Sequence, residues 1–214
     1  MPGRLEPHTD TERRILDVAK RVFVQKGLEG TSMQDIASAA DISRTSLHYY
    51  FRSKRRLFET VLDDLLARLL PQVEGILFED CDLRKKLDRF VSVYLNIFLE
   101  NPYLPNFVMN ELNQDPAEVI GRLSRQGVLS PRLQKQIRAD LRKIDPSIEA
   151  SQFMMNVISL CVFPFIARPV VEAFFANGRA DAFERFIEAR KAVIVDTLIA
   201  SISSASTERR DGAG

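Results

Sequence analysis

The sequence has no tryptophan and only two histidines and two cysteines among 214 residues. His8 and His48 provide neither a histidine metal pair nor a Ser-His-Asp set in the body of the chain. Cys81 and Cys161 lie far apart without a CxxC motif, which supports neither a disulfide framework nor a zinc site. The phosphate-binding patterns GxGxxG and GxxxxGK(S/T) are also missing. We therefore predict that the chain is not an enzyme and has no cofactor and no metal site.

Long apolar runs are also lacking. The longest, residues 153–167, is interrupted by Asn156, Ser159 and Pro164 and is shorter than the roughly 20 residues that a membrane-spanning helix needs. The N-terminus has no apolar segment of the kind found in signal peptides. We predict a soluble, cytoplasmic protein without a membrane partner. Cys161 within the run is expected to be a small buried hydrophobe, and redox sensing is the alternative.

The formal net charge of +1 conceals an uneven distribution. Residues 1–58 contain 11 Lys and Arg against 7 Asp and Glu, a balance of +4. The remaining residues contain 19 against 22, a balance of −3. A basic N-terminal region followed by a slightly acidic remainder suits a protein that binds phosphate groups at one end only.

Helical periodicity runs through the whole chain, and no segment alternates polar and apolar residues as a strand does. The helix that begins at Lys54 contains Pro71, where we expect a kink or a break. The last helix is predicted over residues 180–203. Helix starts are further indicated at Asp82, Asp115-Pro116, Ser130-Pro131 and Asp145-Pro146. The predicted fold class is all-α.

Residues 31–54 have the pattern of two short helices joined by a tight turn. Ser32, with Asp35 three residues on, and Ser43 are suited to cap the two helices, and Asp41 tolerates turn geometry. The second helix has an apolar face made of Leu47, Tyr50 and Phe51. The side chains that point away from this face are Thr45, His48, Tyr49 and Arg52, with Arg44 on the flank. This pattern indicates a helix-turn-helix that reads DNA.

These helices and the one before them resemble the N-terminal domain of the tetracycline-repressor (TetR) family of bacterial transcription regulators. The resemblance covers residues 12–58, about a fifth of the chain. The positions that carry it are Ile15, Leu16, Ala19, Phe23, Gly27, Ile36, Ala37, Ala40, Ile42, Ser43, Leu47, Tyr49, Phe51, Lys54, Leu57 and Phe58. Asp41 stands where the family usually has glycine, and His48 stands where it usually has tyrosine.

The resemblance implies a set of DNA contacts. The base-facing residues would be Gln34, Arg44, Thr45, Ser46 and His48. The phosphate-facing residues would be Ser32, Tyr49, Tyr50 and Lys54. The chemistry fits these roles, because arginine can donate two hydrogen bonds to guanine, glutamine can pair with adenine, and the threonine methyl can meet a thymine methyl. Tyr50 also lies on the apolar face, so packing is its alternative role.

We predict three parts: a helix-turn-helix DNA-binding domain with an N-terminal arm (residues 1–55), a larger helical effector-binding and dimerisation domain (56–205) and a disordered tail (206–214). The resemblance implies that the last two long helices pair with their twins in a homodimer. Their apolar faces contain Phe153, Val157, Leu160 and Cys161 in one helix and Phe183, Phe186, Ile187, Ile194, Leu198 and Ile202 in the other. The alternative is that these faces fill the core of the single chain.

The resemblance also implies a small-molecule site inside the helical domain. Its candidate residues are aromatic, soft or singly polar: Tyr94, Phe98, Phe107, Asn110, Met154, Met155 and Phe163. Such residues are typical of a site for an apolar or amphipathic ligand, but they are also typical of an ordinary core. We predict a homodimeric repressor of a near-palindromic DNA operator that a small ligand releases, with activation left open. The alternative is a helical adaptor that does not recognise a DNA sequence.

Overall fold

A computed structural model describes residues 9–128, 130–175 and 181–211, with side chains described as far as residue 203. Every regular element within these residues is an α-helix, as the sequence predicts. The helices are α1 (Asp10–Lys26), α2 (Met33–Ala39), α3 (Arg44–Tyr50), α4 (Lys54–Phe78), α5 (Leu83–Glu100), α6 (Leu104–Gln114), α7 (Pro116–Arg125), α8 (Pro131–Arg142), α9 (Ala150–Ile166), α10 (Arg168–Phe175) and α11 (Ala182–Asp211). Residues 1–8 of the predicted N-terminal arm lie outside the described residues.

The first of two compact units contains the chain up to Pro71 and the segment Glu100–Val128. It therefore holds α1, α2, α3, most of α4, α6 and α7. A cluster of buried aromatic rings forms its centre. The ring centroid of Phe58 lies 5.1 Å from that of Phe23 and 3.7 Å from that of Phe107. Burying each ring is worth about 1.5–3 kcal/mol, so these contacts hold α1, α4 and α6 together.

The second compact unit contains Gln72–Leu99 and the described residues after 129. Three buried phenylalanines make edge-to-face contacts in its core. The ring centroid of Phe165 lies 5.2 Å from that of Phe98 and 5.5 Å from that of Phe183. These contacts join α5, α9 and α11, because each helix contributes one of the rings.

A buried ion pair also holds the second unit together. The Nζ of Lys86 in α5 lies 2.6 Å from Oδ2 of Asp140 in α8, and each side chain is only 5% exposed. The same Nζ donates to the backbone carbonyl of Leu77 near the end of α4 (2.8 Å). One ammonium group therefore ties α5 to both α4 and α8.

Three helix boundaries differ from the sequence prediction. α4 continues through Pro71 without the expected break, because buried residues anchor the helix on both sides of the proline. α9 begins after Glu149, whose carboxylate accepts from the Ser151 N–H, rather than at Asp145, which lies in the preceding turn. α11 reaches Asp211, although the sequence predicts an end near Ser203. Glutamate and arginine in that segment favour a helix more than the polar composition suggests.

Among the described residues, no single helix is long and apolar enough to cross a membrane. α9 and α10 reach that length and apolar composition only when taken together, and they are bent by 77° at their junction.

Candidate nucleic-acid interface

The start of α2 is fixed by a reciprocal cap. The hydroxyl of Ser32 accepts from the Asp35 N–H (3.1 Å), and the Asp35 carboxylate accepts from the Ser32 N–H (2.8 Å). The Nζ of Lys26, the last residue of α1, lies 2.5 Å from Asp35 Oδ1. These hydrogen bonds, with that from Lys26 the strongest influence, hold the pKa of the Asp35 carboxyl well below its ordinary value. The carboxylate therefore stays charged and fixes α2 against the end of α1.

The turn between α2 and α3 has the geometry that its aspartate suggests. Asp41 has a positive φ of 52°, in the left-handed region where aspartate is tolerated better than most residues. Its N–H donates to the carbonyl of Ser38 (3.2 Å), and the N–H of Ile42 donates to the carbonyl of Ala37 (3.0 Å). The replacement of the family's glycine by Asp41 is therefore compatible with a tight turn at this position.

α3 is anchored by its apolar face. Ser43 caps the helix by accepting from the Ser46 N–H (3.0 Å). Leu47 has no exposed surface and Phe51 is also buried, so the helix cannot rotate about its axis without disturbing the core. Tyr50 is half-buried. The opposite face of this helix is consequently held in a fixed orientation towards solvent.

All five residues that the sequence assigns to base contacts are exposed. They are Gln34 on α2 and Arg44, Thr45, Ser46 and His48 on α3. Two of them make short-range hydrogen bonds: Gln34 donates to the Ser38 hydroxyl (3.2 Å), and the Ser46 and Ser43 hydroxyl oxygens are 2.8 Å apart. The surface offers donors, acceptors and a methyl group, which are the groups that read base edges in the major groove.

The four residues assigned to phosphate contacts differ in their present contacts. Tyr49 is 83% exposed, with its ring edge-on to Tyr50 at 5.4 Å. The Ser32 hydroxyl lies 2.5 Å from Asp35 Oδ2 and so already has an acceptor for its hydrogen. Lys54 donates from Nζ to the carbonyl of Leu28 (2.8 Å), which leaves two of its N–H groups for a phosphate. Tyr49 and Lys54 thus fit the predicted role more readily than Ser32.

The seven residues predicted to bind a ligand do not lie in one unit. Phe107 and Asn110 belong to the first unit, and the other five (Tyr94, Phe98, Met154, Met155 and Phe163) belong to the second. Phe107 packs on Phe58 in the core, whereas Asn110 is exposed. Met155 and Phe163 are 61% and 63% exposed, so both side chains face outward on α9. Their assignment to a shared ligand site stays a prediction.

Tyr94 and Phe98 form an aromatic pair in the second unit. Their ring centroids are 4.8 Å apart, and the ring of Phe90 stacks on Tyr94 at 5.4 Å. Burial raises the pKa of the Tyr94 phenol far above its ordinary value, so the hydroxyl remains a hydrogen-bond donor at any physiological pH. This pair is the part of the predicted ligand set that combines apolar surface with one polar group.

A groove of 480 Å³ lies between α4 and α5 within the second unit. It is lined by Gln72, Ile76, Asp88, Arg89, Ser92 and Val93. None of the seven predicted ligand residues lines this groove. Its lining contains no aromatic residue, which differs from the aromatic site that the sequence suggests.

Most of the apolar residues predicted to pair with twin helices are used inside the chain, which favours the alternative that these faces fill the core; Leu160 and Phe186 are half-buried. Buried residues include Phe153, Val157 and Cys161 of α9 and Phe183, Ile187, Ile194, Leu198 and Ile202 of α11. A different apolar stripe of α9 is exposed: Met155, Ile158 and Phe163, with Val193 exposed on α11. α9 is apolar on more than one side, so periodicity alone could not identify the core side. Ile158 and Phe163 lie three and eight residues after Met155, which places all three on one side of a helix, and this spacing was the available signal for the outward stripe.

The structure favours an inert role for Cys161. Burial raises the pKa of its thiol to about 12, so it is protonated at neutral pH and is a poor nucleophile. Across residues 9–128, 130–175 and 181–203, no cluster of three or more His, Cys, Asp and Glu side chains could hold a metal ion.

Two short helices about a tight turn, with an anchored second helix that exposes a polar face, define a helix-turn-helix DNA-binding protein. Residues 15–61 match the family model of bacterial regulatory proteins of the tetR family. The transcriptional repressor NicS of Pseudomonas putida is 25% identical over 80% of this chain and 83% of its own length. The transcriptional repressor KstR2 of Rhodococcus jostii is 33% identical, but over only 36% of this chain and 38% of that protein.

Solved structures show the same fold. A TetR/AcrR-family regulator from Thermobifida fusca has a TM-score of 0.62 at 15% identity, covering 87% of this chain and 97% of its own. FadR from Bacillus subtilis, in complex with stearoyl-CoA, has a TM-score of 0.64 at 13% identity, covering 87% and 96%. The chain carries a TetR-family DNA-binding domain and is a DNA-binding transcriptional regulator. This is a family of regulators and not of enzymes, in agreement with the sequence prediction.

Proposed function

We propose that this chain is a homodimeric, cytoplasmic repressor that binds a near-palindromic DNA operator and is released by a small apolar or amphipathic ligand. The observation that carries the proposal is the outward face of α3, which is polar, exposed and held in place by the fully buried Leu47. Functionally, the chain divides into a reading head (residues 1–55) and a regulatory body (residues 56–205). The repressor names of NicS and KstR2 support repression over activation.

Base reading in this proposal depends on three side chains of different chemistry. Arg44, in the first turn of α3, donates two hydrogen bonds to a guanine, and the Thr45 methyl meets a thymine. Gln34 on α2 pairs with adenine at the edge of the site. His48, with Ser46, extends the reading face along α3. Tyr49, Lys54, Ser32 and Tyr50 contact phosphates, which position the head without specifying sequence.

The homodimer is proposed to form through the exposed stripe of α9 (Met155, Ile158 and Phe163), extended by Val193 of α11. Large apolar side chains at adjacent positions on one helix are costly to leave in water, and a second copy can cover them. A twofold axis pairs the same stripe with itself and duplicates the reading head. Two heads that read adjacent major grooves make a near-palindrome the natural target.

The ligand is proposed to be apolar or amphipathic. Tyr94, Phe98 and Met154 supply aromatic and polarisable surface, and the Tyr94 hydroxyl supplies one polar anchor. The FadR structure with stearoyl-CoA offers a long-chain acyl compound as a first probe. Release from DNA follows if the ligand prefers a conformation in which the heads no longer fit the operator, with a coupling of about 1–3 kcal/mol.

Binding of the purified chain to sheared DNA from its source genome, titrated with salt, tests the proposal. We expect a small set of fragments to be retained at salt concentrations that release the bulk, because specific contacts add to the phosphate term. Arg44→Ala should lose these fragments, whereas Arg142→Ala, which removes an exposed arginine from the end of α8, should keep them. Equal release of all fragments would favour the adaptor alternative.

A second experiment addresses the ligand. Long-chain acyl compounds and a panel of smaller metabolites are added to the chain bound to its enriched fragment. A ligand of the proposed class should raise the thermal unfolding temperature of the chain and release the fragment. If no compound changed either quantity, the regulatory part of the proposal would be rejected while DNA binding stood.

A further inference from the structure

Arg122 of α7 is an arginine that no sequence pattern singles out. Only 9% of its side chain is exposed, and its guanidinium points at α4. Nη1 lies 2.7 Å from Asp63 Oδ2, and Nη2 lies 3.2 Å from Glu59 Oε2. Nη1 also donates to the backbone carbonyl of Glu59 (3.3 Å). Because Glu59 and Asp63 are one helical turn apart, a single side chain engages two consecutive turns of α4.

Two neighbouring side chains support this contact from α7. Glu118, one turn before Arg122, accepts from its Nη2 at 3.4 Å. The amide of Gln126, one turn after it, donates to Asp63 Oδ1 at 3.4 Å. Glu118 therefore orients the guanidinium of Arg122, and Gln126, which directly follows α7, adds a second contact to Asp63.

The first turns of α4 belong to the same compact unit as α2 and α3, the reading helices. Leu57, Phe58 and Val61 have no exposed surface and lie in the core of the first unit. Lys54, the first residue of α4, donates to the carbonyl of Leu28 in the loop between α1 and α2. A shift of this part of α4 must therefore move the reading helices with it, because close-packed cores transmit displacement.

The guanidinium group suits such a contact better than an ammonium group. Its planar fork offers five donors in fixed directions, so it can hold two carboxylates and a carbonyl at once. Arg125, three residues later, is 65% exposed and pairs with Glu118 on its own helix. The two arginines share a helix and a partner, but only Arg122 is directed at α4.

We infer that Arg122 is a positioning residue for DNA recognition: through Glu59 and Asp63 it sets the orientation in which α4 presents the reading head. Arg122 touches no DNA itself. In a dimer, the orientation of each head determines which half-site spacing fits, so Arg122 governs the spacing that the protein accepts. This role rests on the proposed function, because it requires two heads that read one operator.

The test compares three variants of the full chain. Arg122→Met combined with Asp63→Asn removes the contact without leaving Asp63 charged and unpaired, and Glu59 keeps its ion pairs with Arg55 and Arg56. Arg122→Lys keeps the charge but loses the fork. Arg125→Met is the matched control on the exposed side of α7.

The probe is a duplex selected from random sequences by the wild-type chain, together with versions whose centre is longer or shorter by one or two base pairs. We expect the double variant to bind the selected duplex about tenfold more weakly than wild type does. Its affinities for duplexes of different spacing should differ by less than about threefold. Arg122→Lys should lie between it and wild type, and Arg125→Met should match wild type. Affinity for unrelated DNA and the thermal unfolding temperature should match those of the control.

Three outcomes would overturn the inference. An unchanged spacing profile in the double variant would make Arg122 an ordinary ion pair. Equal weakening on every spacing with a lower unfolding temperature would make its role one of stability alone. If the wild-type chain selected no duplex at all, the proposed function would fail first and the role of Arg122 with it; that outcome is recognisable because it needs no variant.

Discussion

Two exposed helix faces of this molecule have opposite chemistry. The outward face of α3 carries Arg44, His48 and Tyr49, whose polar groups form hydrogen bonds with water. The outward stripe of α9 carries Met155, Ile158 and Phe163, whose side chains are apolar. Both helices are fixed from behind by fully buried side chains. Burial alone therefore does not identify a functional surface. The apolar stripe indicates a protein partner by its exposure, whereas the polar face is identified by its place in a helix-turn-helix.

The largest effect is expected from placing a charged side chain in the apolar stripe of α9. Phe163→Glu should dissociate the proposed dimer, because a carboxylate at its interface would lose its hydration. Loss of the second head should weaken operator binding by about 10²–10⁴-fold. Sedimentation at micromolar concentration and binding to the selected operator measure the two effects.

Ile144→Glu is the matched control for that variant. Ile144 is a comparably apolar, exposed residue that follows α8 and is not part of the stripe. It should leave both the sedimentation behaviour and the operator affinity unchanged. If Phe163→Glu behaved like Ile144→Glu, or if the wild-type chain were a monomer with full DNA affinity, the α9 interface would be wrong.

The next largest effect is expected from the anchor of the α3 face. Leu47→Ala should lower the free energy of unfolding by about 2–5 kcal/mol, because Leu47 is fully buried and its truncation leaves a cavity. Thr45→Ala, on the outward side of the same helix, should change it by less than about 0.5 kcal/mol. Denaturant unfolding of both variants measures the difference. Similar values for the two would mean that α3 is not held by its inner face.

A smaller effect is expected from the outward face itself. Arg44→Ala should cost about 1–3 kcal/mol of binding free energy on the selected operator and relax the choice of base at one position in each half-site. Titration against operators with single base changes measures both quantities. Arg142→Ala should leave the profile as in wild type. If Arg44→Ala bound every sequence as tightly as wild type, the assignment of Arg44 to a base would be wrong.

The smallest effect is expected from the phosphate contacts. Lys54→Ala should weaken binding to all sequences alike and reduce the slope of log K against log salt by about one. Its hydrogen bond to the Leu28 carbonyl is lost in the same variant, so the unfolding temperature is measured in parallel. A lower unfolding temperature with an unchanged salt slope would mean that Lys54 holds the loop and does not contact a phosphate.

The reading head could be predicted from the sequence because its signals are local. The caps at Ser32 and Ser43, the turn at Asp41 and the apolar spacing around Leu47 each depend on a few neighbouring residues, and α1–α3 follow them closely. The core side of α9 could not be predicted, because apolar residues occur around more than one side of that helix. Arg122 could not be identified either, since its partners Glu59 and Asp63 are about sixty residues away in the sequence.

Thiol protection tests whether the outward face of α3 enters DNA. In a Cys81→Ser background, Thr45→Cys and Ser159→Cys place one thiol on each of the two contrasted faces, while Cys161 is buried. Alkylation at Thr45→Cys should be fast in the free protein and slow with saturating operator, and should stay fast with a non-operator duplex at a salt concentration that prevents nonspecific binding. Alkylation at Ser159→Cys should be indifferent to DNA and should accelerate only on dilution of the dimer. An alkylation rate at Thr45→Cys that the operator does not change would mean that the outward face of α3 does not enter DNA.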